Sequence, residues 1–133
     1  MKVLIIDGDW SFAEQVRDSL EAKANLVVTE SHAKAALEQA RRWQPDLVIV
    51  AAETAAREGF LDSLSSVSPR PAVLLTERMD RFDRAWRAWQ KGGDELLLKP
   101  VLCGDDLDGA IIAARENAVS GRARTRKAVR AAS

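Results

Sequence analysis

Two acids two residues apart, Asp7 and Asp9, close the first apolar run of this chain, and a third, Glu53, follows the alanines Ala51-Ala52 that close another. Carboxylates in such places hold divalent cations or accept a phosphoryl group, so these stretches are where chemistry is to be sought first. Other reactive types are sparse. One cysteine, Cys103, cannot form an internal disulfide, and with a single histidine, His32, it cannot make a zinc set. Both read as incidental. No pairing of a nucleophile with a base is visible, which argues against an enzyme.

The elements that must position these residues are legible in the hydrophobic pattern. Short continuous apolar runs at 3–6, 26–28, 47–51, 72–75 and 96–98 alternate with segments of helical spacing. The runs are too short for helices and lack a polar face, as strands covered on both sides do. Between and after them come single apolar stripes: Phe12, Val16 and Leu20; Ala33, Leu37 and Ala40; Phe60, Leu61 and Leu64; Phe82, Trp86 and Trp89; Leu107, Ile111 and Ala114. Ser11, three residues before Glu14, predicts a capping box on the first helix. Ser31 predicts a cap on the second, and Asp105 or Asp106 one on the last. Pro45 and Gly92-Gly93 are stop signals after the second and fourth helices.

Five β-α repeats predict an α/β fold, a (βα)5 doubly wound parallel sheet with helices on both faces, because right-handed crossovers place them there. The flavodoxin-like strand order 2-1-3-4-5 is expected at this size. It sets any ligand site at the carboxyl ends of strands 1 and 3, where the winding reverses. Those ends are the two stretches above, Asp7-Gly8-Asp9 and Ala51-Ala52-Glu53.

Length and composition agree with one such domain. The chain has 133 residues, 47% apolar and 30% charged, and no run approaches the roughly 18 apolar residues of a membrane span. Its start, MKVLIID, enters a strand-like run without a signal-peptide pattern, so a cytoplasmic protein is expected. The zero net charge hides an asymmetry. Residues 1–116 carry 20 acids against 15 bases, a net of −5, while residues 117–133 carry 5 bases and no acid.

A frame runs through these elements: VLIIDGD ends in Asp7, Gly8 and Asp9, PDLVIVA in Ala51, AVLLT in Thr76 and ELLLKP in Lys99-Pro100, and Gly59 follows at a loop spacing from Ala51. From Lys2 to about Ala118 it resembles the receiver domain of bacterial two-component response regulators. The resemblance implies a pair of acids ending strand 1 that hold Mg2+; Asp7 fills the first place, and Gly8 leaves the second empty. It implies a phosphoryl-accepting aspartate ending strand 3, where this chain has Ala51. It implies a Thr or Ser that contacts the phosphoryl oxygen and a Lys-Pro pair, often cis; Thr76 and Lys99-Pro100 supply them. The Tyr or Phe that swings inward on activation is replaced by Leu96. The expected domain is therefore 1–118, a degenerate receiver, followed at 119–133 by a basic tail or helix extension.

Phosphoryl transfer to such a domain needs a carboxylate nucleophile, a divalent metal and a lysine to hold the product charge. Alanine offers no lone pair, and one Asp with a backbone carbonyl is a poor Mg2+ set. Neither phosphorylation nor tight metal binding is expected, and no cofactor. Asp9 and Glu53 flank the gap. Glu53 lies two residues beyond Ala51, on the same side of an extended strand, so it could rebuild a metal site or pair with Lys99 as a fixed substitute for a phosphate. The plainer expectation is an Asp7–Lys99 bridge kept for structure, since a cation at the end of a central strand needs a partner. Thr76 then either satisfies backbone groups at a strand end or binds a ligand, with nothing in the sequence to separate the two.

In phosphorylated relatives of the resembled family the output surface is the fourth helix, fifth strand and fifth helix. Here the fourth helix lies in TERMDRFDRAWRAWQKGG. Its stripe of Phe82, Trp86 and Trp89 reads first as core, with Arg78, Arg81, Arg84 and Arg87 as the solvated face and Asp80 and Asp83 partly balancing them. Two tryptophans are large for a helix on a small sheet. One edge of Trp86 and Trp89 is therefore expected to stand exposed beside Arg84 and Arg87, which is the composition of an interaction face. With Leu96 in place of the aromatic switch, that face should hold one conformation.

The expected function is thus a signalling module that acts by phosphorylation-independent contact with another signalling protein or a second copy of itself. A competing reading gives the vacated pocket between Gly8, Ala51, Thr76 and Lys99 to a small anion or metabolite, although no Gly-rich phosphate loop supports it. The tail either continues the fifth helix across Ser120-Gly121 or is a linker. Its five bases lack an aromatic or groove motif, so nucleic acid is not the expected partner.

Overall fold

The computed structural model of the chain describes residues 1–101 and 104–132, with side chains described up to residue 120. Cys103 lies outside the described residues. Five parallel strands form one sheet in the order β2-β1-β3-β4-β5. They are β1 (Lys2–Ile6), β2 (Leu26–Glu30), β3 (Leu47–Ala51), β4 (Ala72–Arg78) and β5 (Glu95–Lys99). The helices are α1 (Trp10–Glu21), α2 (Ala33–Trp43), α3 (Ala52–Ala55), α4 (Phe60–Ser65), α5 (Phe82–Gln90) and α6 (Gly104–Ala132), and a 3-10 turn, Met79–Arg81, leads into α5.

Strand alternation explains the two cores. Successive side chains point to opposite faces, so Val3 and Ile5 join Leu47, Ile49 and Leu74 beneath α1 and α6, while Leu4 and Ile6 join Val48, Val50 and Leu75 beneath α2 to α5. Both faces of the central strands are closed, and residues 3–6 and 47–50 are fully buried. Each such Val, Leu or Ile contributes about 1.5–3 kcal/mol by leaving water. The stripes expected on α1, α2, α4 and α6 pack inward, with Ala33 and Leu37 of α2 only partly buried, and α6 adds Ala118 to its buried row.

Several local expectations are corrected. The first helix is capped by Asp9, whose Oδ1 accepts the Phe12 amide at 3.1 Å, and Ser11 lies inside the first turn. The cap position of α2 is His32, without a side-chain cap bond, so Ser31 stands one residue too early. Asp105 and Asp106 sit in the first turn of α6, where their charge favours the helix N-terminus. A short helix, α3, stands where the sequence pattern has only a loop between Ala51 and Gly59, and the chain turns at Gly59 (φ 78°) before α4 begins. The fourth and fifth helices of the sequence pattern are accordingly α5 and α6. β4 extends to Arg78, three residues beyond its apolar run, because the backbone ladder with β5 continues past the core.

The largest correction concerns α5. Its buried residues are Ala85 and Ala88, and the aromatic stripe faces outward. Gly93 permits the close approach of the following turn, since a Cβ there would overlap Leu75 Cδ1. The helix of α6 runs unbroken across Ser120-Gly121. Among the described residues no helix is long and apolar enough to cross a membrane.

Candidate functional site

The carboxyl ends of β1, β3, β4 and β5 converge on one group of side chains. Asp7 leaves β1 with its side chain 3% exposed. Its Oδ1 accepts the Asp9 amide at 2.9 Å, and its Oδ2 accepts both Lys99 Nζ at 2.7 Å and Thr76 Oγ1 at 3.2 Å. Thr76 is buried in β4, in register with Ala51 of β3. Lys99 ends β5, with Nζ 3.7 Å from Asp9 Oδ2 and 4.3 Å from the centre of the Phe12 ring. The lysine thus has a close carboxylate, a more distant one and an aromatic face, which together compensate a mostly buried ammonium.

Ala51 and Ala52 add only methyl groups, and Ala52 is fully buried. Glu53 is exposed on α3 and makes no ion pair with Lys99, so the fixed carboxylate substitute entertained from the sequence does not form. The α3 turn begins right after Ala51, so the backbone does not extend as a strand and Glu53 is carried away from the β3 end. Gly8 is exposed with open space where a Cβ would stand, and its backbone lies outside the left-handed region. Neither space nor conformation demands glycine there.

The donor set does not fit a Mg2+ site of the receiver kind. Both Asp7 oxygens are engaged by the chain itself, Asp9 Oδ1 is spent as a helix cap, and positions 8 and 51 carry no carboxylate. Among the described residues no three of His, Cys, Asp and Glu gather in a ligand-like group. A cleft of about 520 Å³ opens beside the pair, lined in part by Phe12, Met79, Pro100 and Val101. Its cations are matched to acids, Lys99 to Asp7 and Arg78 to Asp80 at 2.9 Å, so it offers no uncompensated charge to an anion.

The second feature is the outward face of α5. Phe82, Trp86 and Trp89 are 49%, 48% and 36% exposed, and Met79 in the preceding turn is 65% exposed. Phe82 stacks near Trp86 with centroids 6.5 Å apart, and Trp86 meets Trp89 edge-on at 5.8 Å. Arg84 is drawn back to the buried Glu77 at 3.1 Å, whereas Arg87 makes no ion pair among the described residues. Leu96 is half-buried against the layer of α2 to α5. The sequence reading missed Met79 and Glu77. Met79 was detectable, since it continues the row at the right spacing; an acid beyond an apolar run carries no such signal.

No protein-family model matches the chain. It is 29% identical over 100 residues to the probable transcriptional regulatory protein TcrX of Mycobacterium tuberculosis, covering 74% of this chain and 43% of that protein. The crystal structure of a response regulator receiver domain protein from Clostridium thermocellum matches 86% of this chain and 94% of its own, at 28% identity and a TM-score of 0.71. The fold is that of a response regulator receiver domain. NtrX from Brucella abortus shares the receiver fold over 93% of this chain and 28% of its own, at 18% identity and a TM-score of 0.75. The chain therefore spans less than half of TcrX and of NtrX. On this receiver fold, Asp7, Thr76 and Lys99 meet at the strand ends, while Trp86, Trp89, Arg84 and Arg87 lie on α5, away from them.

Proposed function

We propose that this receiver-type signalling module works by protein contact without phosphoryl transfer, and that the face formed by α5, β5 and α6 is its contact surface. The observation that carries the reading is the 2.7 Å pair between Asp7 and Lys99, completed by Thr76, at a strand end where Ala51 offers no nucleophile. The lysine that would hold a product phosphate is already neutralised, and the one acid that could begin a metal site is already bonded. Exposed tryptophans beside arginines supply the recognition chemistry elsewhere. We assign 1–118 to the receiver unit and 119–133 to a basic extension, in keeping with the burial of Ala118 and the exposure of Val119.

The test is incubation with acetyl phosphate and Mg2+ followed by intact-mass measurement. The natural chain should gain no phosphoryl group. The double variant Gly8→Asp/Ala51→Asp, which restores both missing carboxylates, should gain one. Phosphorylation of the natural chain would overturn the reading.

A further inference from the structure

The row on α5 is longer and more regular than an incidental exposed patch. Met79, Phe82, Trp86 and Trp89 follow at intervals of three, four and three residues, and all four are at least a third exposed. Met79 stands in the 3-10 turn, where residues three apart eclipse, so it lines up with Phe82 at the head of the helix. A 3-4-3 apolar seam is the pattern with which one helix receives another, and the ring contacts along it make the seam continuous.

Charge selects the kind of helix. Residues 77–91 carry five bases, Arg78, Arg81, Arg84, Arg87 and Lys91, against the three acids Glu77, Asp80 and Asp83, a net of +2. The rest of residues 1–116 has ten bases against seventeen acids, a net of −7. The seam is therefore a basic strip on an acidic body. A second copy would bring two basic strips together, which opposes pairing through this face. A partner with carboxylates beside its apolar row would meet Arg87 and its neighbours favourably.

We propose that the Met79–Phe82–Trp86–Trp89 row docks an acidic amphipathic helix of a partner protein, apolar at matching intervals and Glu- or Asp-rich along its flanks. This rests on the reading of the α5 face as the contact surface and names what that surface takes. Arg87, with no ion pair among the described residues, is the cation best placed to receive a flanking carboxylate.

Two labelled synthetic peptides test it: a helix with leucines at 3-4-3 spacing and glutamates on both flanks, and its isomer with lysines in place of the glutamates. Anisotropy titration of the full chain should show binding of the glutamate peptide, weakened by added salt, and affinity for the lysine peptide lower by roughly tenfold or more. Trp86→Ala and Arg87→Glu should each weaken the glutamate peptide by about tenfold, with circular dichroism confirming the fold. Met79→Lys, outside the helix, serves the same purpose should Trp86→Ala unfold. Equal affinity for both peptides, binding of neither, or binding indifferent to all three variants would overturn the proposal. So would dimerisation through the row, seen by light scattering and abolished by Trp86→Ala. Failure of the wider reading looks different: the chain would take a phosphoryl group, or peptide affinity would change after acetyl phosphate treatment.

Discussion

Removing the Asp7 carboxylate leaves Lys99, whose side chain is 12% exposed, with only the distant Asp9 oxygen and the Phe12 ring. Breaking one side of a buried pair costs more than the pair itself contributes. Asp7→Ala should therefore lower unfolding stability by about 3 kcal/mol in urea titration, and Asp7→Ala/Lys99→Met should recover much of that loss. A double variant no more stable than Asp7→Ala would contradict this account of the pair. The two glycines separate in the same assay. Gly93→Ala should cost about 1–3 kcal/mol because Leu75 must move, whereas Gly8→Ala should be neutral or stabilising by up to about 1 kcal/mol. The pairing of Asp7 with Lys99 was legible because the frame placed both at strand ends and a cation there needs a partner. The capping role of Asp9 was not, since Ser11 and Glu14 satisfied the same motif two residues later.

For α5, period and burial separate. Helical spacing states which residues share a face but not which face turns inward, and Phe82, Trp86 and Trp89 made the larger apolar face. The helix instead lies close to its neighbours on Ala85 and Ala88, both fully buried, where larger side chains would not fit. The expected ranking of substitutions is thus the reverse of residue size. Ala88→Leu should destabilise by about 1–3 kcal/mol by overpacking, while Trp86→Ala should cost only about 1 kcal/mol, from ring contacts and partial burial. Thermal melts of the two variants check the order. The short α3 was hidden for a different reason: its four residues bury only Ala52 and Ala55, too few to register as a helical stripe, so the stretch before Gly59 looked like a loop.

At the level of the whole molecule, topology was the most legible property. Five short apolar runs alternating with amphipathic segments leave little freedom once crossovers must be right-handed, and the order β2-β1-β3-β4-β5 followed. Whether a sheet of this shape still switches depends on a few side chains at its rim. With the rim closed by its own ion pair, adding Mg2+ and beryllofluoride should leave the amide spectrum of the chain unchanged beyond the shifts that salt alone produces. Chemical-shift changes spreading from Thr76 to α5 would show a second conformation and contradict the expectation.

The Asp7–Lys99 bond is made between two parts of one chain, so its closure depends on no metabolite, donor or ion concentration. Under the proposed reading, a partner's occupancy is then a plain hyperbola in the amount of this protein, half-saturated when that amount equals Kd. Dosage becomes the message, and control passes to synthesis and turnover. Folding stability enters that account directly, because losing 1–2 kcal/mol (about the scale on which cellular abundance changes several-fold) would dim the output as effectively as damage to the docking face.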